Sequence, residues 1–374
     1  MAKKIYIGID SIAKQVKKMY VGIDNKARRI KKGYIGIGGV ARPFLSGGEL
    51  AYYGEITSLN VNSNNARAAA VGEYALFAGG STDTASGHHS YTNVYDTDLT
   101  HSLASNLSVS GNGYAAAAIG DYALFACPDL ETTSTSKVVH AFDTDLTYSN
   151  PDSVTRGRYN AAAASIGDYA VFAGGSNGDS AYSAADAYSK DLTRLVPADL
   201  SAARCDLAAA SIGDYTIFAG GRGEDTYSAV DAYSKDLTRL TAADLSIARY
   251  DLAAASIGGY ALFAGGMTGV ERLTAIDVYD KDLTRSSPIS LSLGGTDIAA
   301  AAVGEYALFA GGMMYTARGK QVDIYDSDLT HTTASPFSTG RSSMGAAAVG
   351  NYAVFAGGRT SSSAQRKAYA YKVV

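Results

Sequence analysis

Short apolar runs separated by small polar turns recur along most of the chain. In residues 161–175, AAAASIGDYAVFAGG, six small or apolar positions lead into Gly-Asp, then Tyr-Ala-Val-Phe-Ala, then Gly-Gly. Four successive alanines favour helix by propensity. Gly167 and Asp168, however, would end that helix within about one turn, too short to be stable. A two-residue loop that opens on Gly between apolar runs is instead a tight hairpin signal, because the primed turns need positive φ. The stretch predicts two antiparallel strands.

Seven copies are present, with turn glycines at 72, 120, 167, 213, 258, 304 and 350 and spacings of 45 to 48 residues. A period of this size marks a solenoid, a propeller or an array. In the first six copies an alternating segment such as Val230-Asp-Ala-Tyr233 predicts a third strand and runs into an Asp-Leu-Thr turn. Asp in such a turn bonds its own backbone, and this reading of the Asp96/Asp98 and Asp326/Asp328 pairs is preferred to calcium binding. A last segment, as at residues 237–245, predicts a fourth strand. Four strands per repeat make one propeller blade. The expected fold is therefore all-β, a seven-bladed propeller. The seventh copy stops after its third strand, and residues 53–61 are expected to supply the fourth, with Leu59 standing where Leu245 stands. That closure would leave no free edge in the ring.

A different period governs the N-terminus. Tyr6-Ile-Gly-Ile, Tyr20-Val-Gly-Ile and Tyr34-Ile-Gly-Ile recur every 14 residues, separated by Lys- and Arg-rich segments. Each unit predicts two short strands with a turn at Asp-Ser or Asp-Asn. Isolated hairpins bury little, so this region is expected to pack on a partner or on copies of itself, with Tyr6, Tyr20, Arg28, Arg29 and Tyr34 as docking residues. Pro43 and Ser46-Gly-Gly48 read as a linker. Two domains follow: a basic hairpin region, 1–45, and the propeller, 46–374.

Charge sharpens this division. Residues 1–45 carry eight Lys and three Arg against Asp10 and Asp24, while the remainder carries 21 basic and 34 acidic residues. Opposite signs suggest separate tasks. The basic region lacks the aromatic-interleaved pattern of nucleic-acid modules, so nucleic acid is not the expected partner. No apolar run reaches membrane-spanning length, and no signal-peptide core precedes the first strand. Cys127 and Cys205 lie in different repeats and read as core thiols, with neither a disulfide framework nor a zinc site.

The repeat resembles kelch-type β-propellers, most clearly at residues 204–221, where an Arg is followed by small residues, a tight turn, Tyr-x-x-Phe and Gly-Gly. Arg158, Arg249 and Arg341 open other copies alike. The chain departs from that pattern in having no Trp; Leu of Asp-Leu-Thr, or a later Leu, is expected to fill its place. Cys127-Pro128 replaces Gly-Gly in the second copy, so that loop should differ. The N-terminal Tyr-Ile-Gly units resemble tail-associated structural proteins of phages and prophages of Gram-positive bacteria. That resemblance implies a virion protein made in the cytoplasm without a signal peptide. It would dock on other tail or baseplate proteins through residues 1–45 and form a homo-oligomer, with a trimer as the tail-tip arrangement.

In a propeller the second-to-third and fourth-to-first connections share one face, and here the former vary freely. Rigid scaffolds with variable loops are recognition layouts. Tyr182, Arg222, Tyr227, Arg272, Tyr315, Arg318 and Arg359 in the variable loops are the expected contacts for a bacterial surface glycan or protein. Tyr114, Tyr159, Asp206, Tyr250 and Asp251 join them at the channel mouth. Tyr and Arg suit such contacts. The repeated arginines, Arg158, Arg204, Arg249 and Arg341, read mainly as ties within blades. No catalytic set, metal site or cofactor is expected. The five histidines, His88, His89, His101, His140 and His331, form no helical zinc pair, and the Tyr/His copper ligands of some kelch oxidases cannot be assembled. Two alternatives stand beside this non-enzymatic reading. One is an enzyme acting on polysaccharide, which predicts clustered channel carboxylates with raised pKa values. The other is a cytoplasmic scaffold with one protein partner.

Overall fold

The computed structural model describes six strands within residues 6–46, and residues 48–374 apart from 84–86 and 131–134. The chain divides into two compact units, Met1–Ala51 with Val373–Val374, and Tyr52–Lys372. Among the described residues there is no helix, and none long and apolar enough to cross a membrane.

In the first unit three separate two-stranded antiparallel sheets form. Their registers place Tyr6 opposite Gln15, Tyr20 opposite Arg29 and Tyr34 opposite Pro43. The turns expected at Asp10-Ser11 and Asp24-Asn25 lie outside the described residues. Pro43, read as linker, instead lies inside the strand Val40–Ser46. A two-stranded sheet has only edges, and an edge strand tolerates a residue without an N–H.

The second unit is a seven-bladed propeller of four-stranded antiparallel sheets. The innermost strands, in blade order, are Arg67–Val71, Ala115–Ile119, Ala162–Ile166, Ala208–Ile212, Ala253–Ile257, Ala299–Val303 and Gly345–Val349. Each adjoins the next, and the seventh adjoins the first. In blade 3, Ile166 faces Tyr169 across the Gly167-Asp168 turn, where Gly167 holds φ at 55°. Along the inner strand Ala162, Ala164 and Ile166 are buried between blades, whereas Ala163 faces the central cavity. Close approach of seven such strands leaves room for alanine despite its weak β-propensity. Serine replaces it in three blades, each time with its hydroxyl bonded to a neighbour: Ser165 donates to the Ala118 carbonyl, Ser211 to that of Ser165, and Ser256 Oγ accepts the Ser211 N–H.

The core lies between blades. Phe172 and Tyr188 of blade 3 meet edge to face, 5.9 Å between centroids, and pack on Ala117 and Leu124 of blade 2. The buried Tyr188 hydroxyl donates to the Asp152 carbonyl at 2.7 Å. Two leucine positions serve where a Trp was missing. Leu99, Leu146, Leu192, Leu237, Leu283 and Leu329 each plug an interface between blades. The later position, such as Leu59, Leu200 or Leu245, is at most 4% exposed.

Outer strands are shorter than their sequence segments suggest. The segment read over 237–245 pairs only at Arg239–Thr241, because the chain then turns inward to bury Leu245. Short outer strands limit edge-to-edge association. The ring closes through an N-terminal strand, Leu50–Ile56, on Ala368–Val373. This lies upstream of the expected 53–61; Leu59 falls beyond the strand and is drawn into the core, its N–H bonded to the Arg366 carbonyl at 2.8 Å.

Candidate binding site at the channel mouth

Each fourth-to-first connection delivers one residue to the channel rim with left-handed backbone. These are Asn65, Asn160, Asp206, Asp251, Asp297 and Ser343, with φ of 53° to 58°, and Gly113. Asn, Asp and Gly are the residues that visit this region most readily. The rim is stitched by backbone bonds from blade to blade. Asp206 N–H donates to the Asn160 carbonyl, Asp251 to Asp206, Ser343 to Asp297, Asn65 to Ser343 and Gly113 to Asn65, all within 2.9–3.1 Å.

Behind the rim the repeated arginines brace the loops. Arg204 is wholly buried, pairs with Asp231 at 2.8 Å and donates to the Phe218 carbonyl. Arg158 with Asp186 and Arg249 with Asp277 repeat the arrangement at 2.9 and 2.8 Å. Blade 7 has Tyr369 at the Asp position, and Arg341 lies 5.1 Å from its ring centroid. Burial without a carboxylate partner lowers the Arg341 pKa. Blade 6 inverts the exchange: Gly295 replaces the Arg, and Asp323 pairs with His331 at 2.8 Å. All four arginines are thus structural.

The rim encloses a cavity of about 300 Å³. Three successive blades present Asp206, Asp251 and Asp297 to it, and Arg67 reaches it from blade 1, where most inner strands begin with Ala. Burial first, then Asp206 and Asp297, push the Asp251 carboxyl up to about 7, against the pull of Arg222 and Arg67. Burial lowers the Arg67 pKa, opposed by attraction to the same three carboxylates. Asp206 is clamped by Arg222, whose Nε lies 2.6 Å from its Oδ2, and the Arg222 guanidinium sits 4.7 Å from the Tyr250 ring centroid.

Asp206 and Asn160 also line a second cavity, about 740 Å³, between blades 3 and 4. Tyr159, Tyr227, Arg222, Asp179 and Glu224 complete its walls. Burial raises the Tyr159 pKa. Polar acceptors, two Arg and two Tyr around adjacent concavities suit a ligand rich in hydroxyls, whose O–H groups meet carboxylates and whose C–H faces meet rings.

The expected contact residues fall into three groups. Asp206, Asp251, Tyr159, Arg222 and Tyr227 line one or both cavities, and Tyr250 supports Arg222. Tyr114 also borders the mouth cavity, with its ring 1% exposed and its hydroxyl donated to the Val109 carbonyl. Arg359 is likewise engaged, bound to Asp83 at 2.6 Å across blades 7 and 1. Tyr182 lies beneath Arg156, and Arg272 stacks on the exposed Tyr315, 5.3 Å to the centroid in both cases. These four residues and the half-buried Arg318 stand outside the two cavities. Of Tyr6, Tyr20, Arg28, Arg29 and Tyr34 the structure describes only the strand positions.

Sequence reasoning missed Arg67, Asn160 and Asp297. The signal for Asp297 was register: it stands two residues before its inner strand, as Asp206 and Asp251 do. Arg67 was marked by replacing an alanine. His89 is a buried structural group, bonded to Ser63 Oγ at 2.9 Å and pushed down to about 4 by burial. Asp96 accepts the N–H groups of Asp98 and Thr100 at 2.9 and 2.8 Å, as a turn residue does. Among the described residues no group of three His, Cys, Asp or Glu side chains is placed to hold a metal ion.

The chain is similar in fold to the solved structure of YjhT. The likeness spans 70% of this chain and 94% of that one, with a TM-score of 0.56 and 12% identity, and so concerns the fold alone. No protein-family model and no curated protein matches the sequence.

Proposed function

We propose that the propeller is a glycan-recognition module of a phage or phage-like tail, held in the particle by its basic hairpin region. The fold fits a binding or an enzymatic scaffold. The observation that favours recognition of a glycan is the adjacent pair of polar cavities at the mouth, walled by Asp, Arg and Tyr side chains. The setting rests on the likeness of the Tyr-Ile-Gly units to tail proteins, and the repeat on its likeness to kelch propellers. Copies of the chain would assemble through residues 1–45, on which other tail proteins would dock.

The test is binding of the full chain to a panel of bacterial surface glycans, read by calorimetry. Arg222→Ala should weaken binding at least about tenfold, the effect expected for a charged contact with a buried partner. A chain that binds no glycan, or binds equally well without Arg222, refutes the reading.

One observation favours a second reading, a polysaccharide-active enzyme. Asp251 retains a proton near neutral pH beside Asp206, and carboxyl groups with unlike environments are the raw material of acid–base catalysis. Release of reducing ends from a bound glycan, abolished by Asp251→Asn, would establish it and overturn recognition alone.

A further inference from the structure

We propose that mouth and groove form one site that takes an unbranched, amine-bearing glycan end-on, its terminal unit in the mouth and the following units between blades 3 and 4. This rests on the glycan-recognition reading above and adds polarity, path and charge to it.

The path follows from the shared walls. Asn160 and Asp206 border both cavities, so the groove adjoins the mouth on that side and gives a chain leaving the mouth its nearest further concavity. Three other gaps between blades are bridged by side chains. Arg222 stacks on Tyr250 between blades 4 and 5, and Arg272 on Tyr315 between blades 5 and 6. Arg359 pairs with Asp83 between blades 7 and 1. The groove is the larger of the two cavities, as a site for several units beside a site for one requires.

The charge follows from the walls themselves. Even with Asp251 protonated, Asp206 and Asp297 in the mouth, with Asp179 and Glu224 in the groove, outnumber Arg67 and Arg222. Like charges repel a polyanionic chain, whereas an ammonium group gains a carboxylate partner in a confined space. Tyr159 and Tyr227 supply ring faces in the groove for the apolar side of a sugar.

Calorimetry on the full chain with glucosamine oligomers of two to six units, their N-acetylated counterparts and oligogalacturonates tests this. Affinity for the amine-bearing series should rise with length and then level off. It should exceed that of the N-acetylated series by about tenfold or more and fall as salt is raised. Asp297→Asn should weaken every length, and Tyr227→Ala only the longer ones. Equal loss at all lengths in Tyr227→Ala, or affinity independent of length, overturns end-on binding. Preference for N-acetylated or anionic oligomers overturns the charge assignment while the glycan reading stands. Failure of every glycan in the wider panel removes the glycan reading itself.

Discussion

Leu99, Leu146, Leu192, Leu237, Leu283 and Leu329 all hold φ between 58° and 62°, a conformation that costs a bulky residue about 1–3 kcal/mol. Two contributions offset that strain. Three residues before Leu99, Asp96 accepts two backbone N–H groups and fixes the turn, as Ser234 does before Leu237. The leucine side chain fills the joint between blades. Leu99→Ala should therefore lower unfolding free energy by about 2–4 kcal/mol in urea titrations, since the strain remains and the packing goes. Asp231→Ala strands the buried Arg204 guanidinium and should cost about 3–5 kcal/mol, measured the same way. Asp251 imposes a pH dependence of definite sign. Its carboxyl holds a proton up to about 7 in the fold and only to about 4 when unfolded. The unfolded chain thus binds fewer protons between those values, and stability falls as pH rises across that window. Asp251→Asn should remove this fall. His89 and His140, pushed down to about 4 by burial, act oppositely, losing stability as pH drops below about 6.5. Comparing variant with parent separates the two.

Strands and turns carried their own signals. The Gly-initiated hairpin and the Tyr-x-x-Phe run were legible because tight turns restrict backbone and residue type together. The length of the outer strands was not legible. Leu245 belongs to an apolar segment that reads as strand, yet its burial is decided by the loop returning to Ser228, whose carbonyl accepts the Leu245 N–H at 2.9 Å. Cys127 marks a local departure: it takes φ of 59° where other blades have the first Gly, while Pro128 stands where they have a second Gly with φ of 85° to 121°. Closure by Leu50–Ile56 makes an element-level prediction. A chain beginning at residue 57 should leave the third strand of blade 7 as an open edge. It should melt at lower temperature and aggregate more than one beginning at residue 48, as read by calorimetry and light scattering.

At the scale of the molecule, the two regions differ in sign of charge, and the proposed division of labour follows that difference. Deleting residues 1–47 should leave a folded propeller, seen by circular dichroism and a cooperative melt, that no longer self-associates in sedimentation. Continued self-association would refute assembly through the hairpins. What the sequence by itself determined was the repeat, the strand number per blade and the tight turn between its first two strands. Each of these is set by local backbone chemistry and recurs seven times. What only the tertiary structure decided was which rim residues meet. Asp206, Asp251 and Asp297 are about 45 residues apart in sequence and become neighbours because the ring turns each period into one step around an axis. The same step turned Arg67 from a substituted alanine into the cation of the mouth. Local sequence specifies a blade; ring closure alone specifies what seven blades place at their common centre.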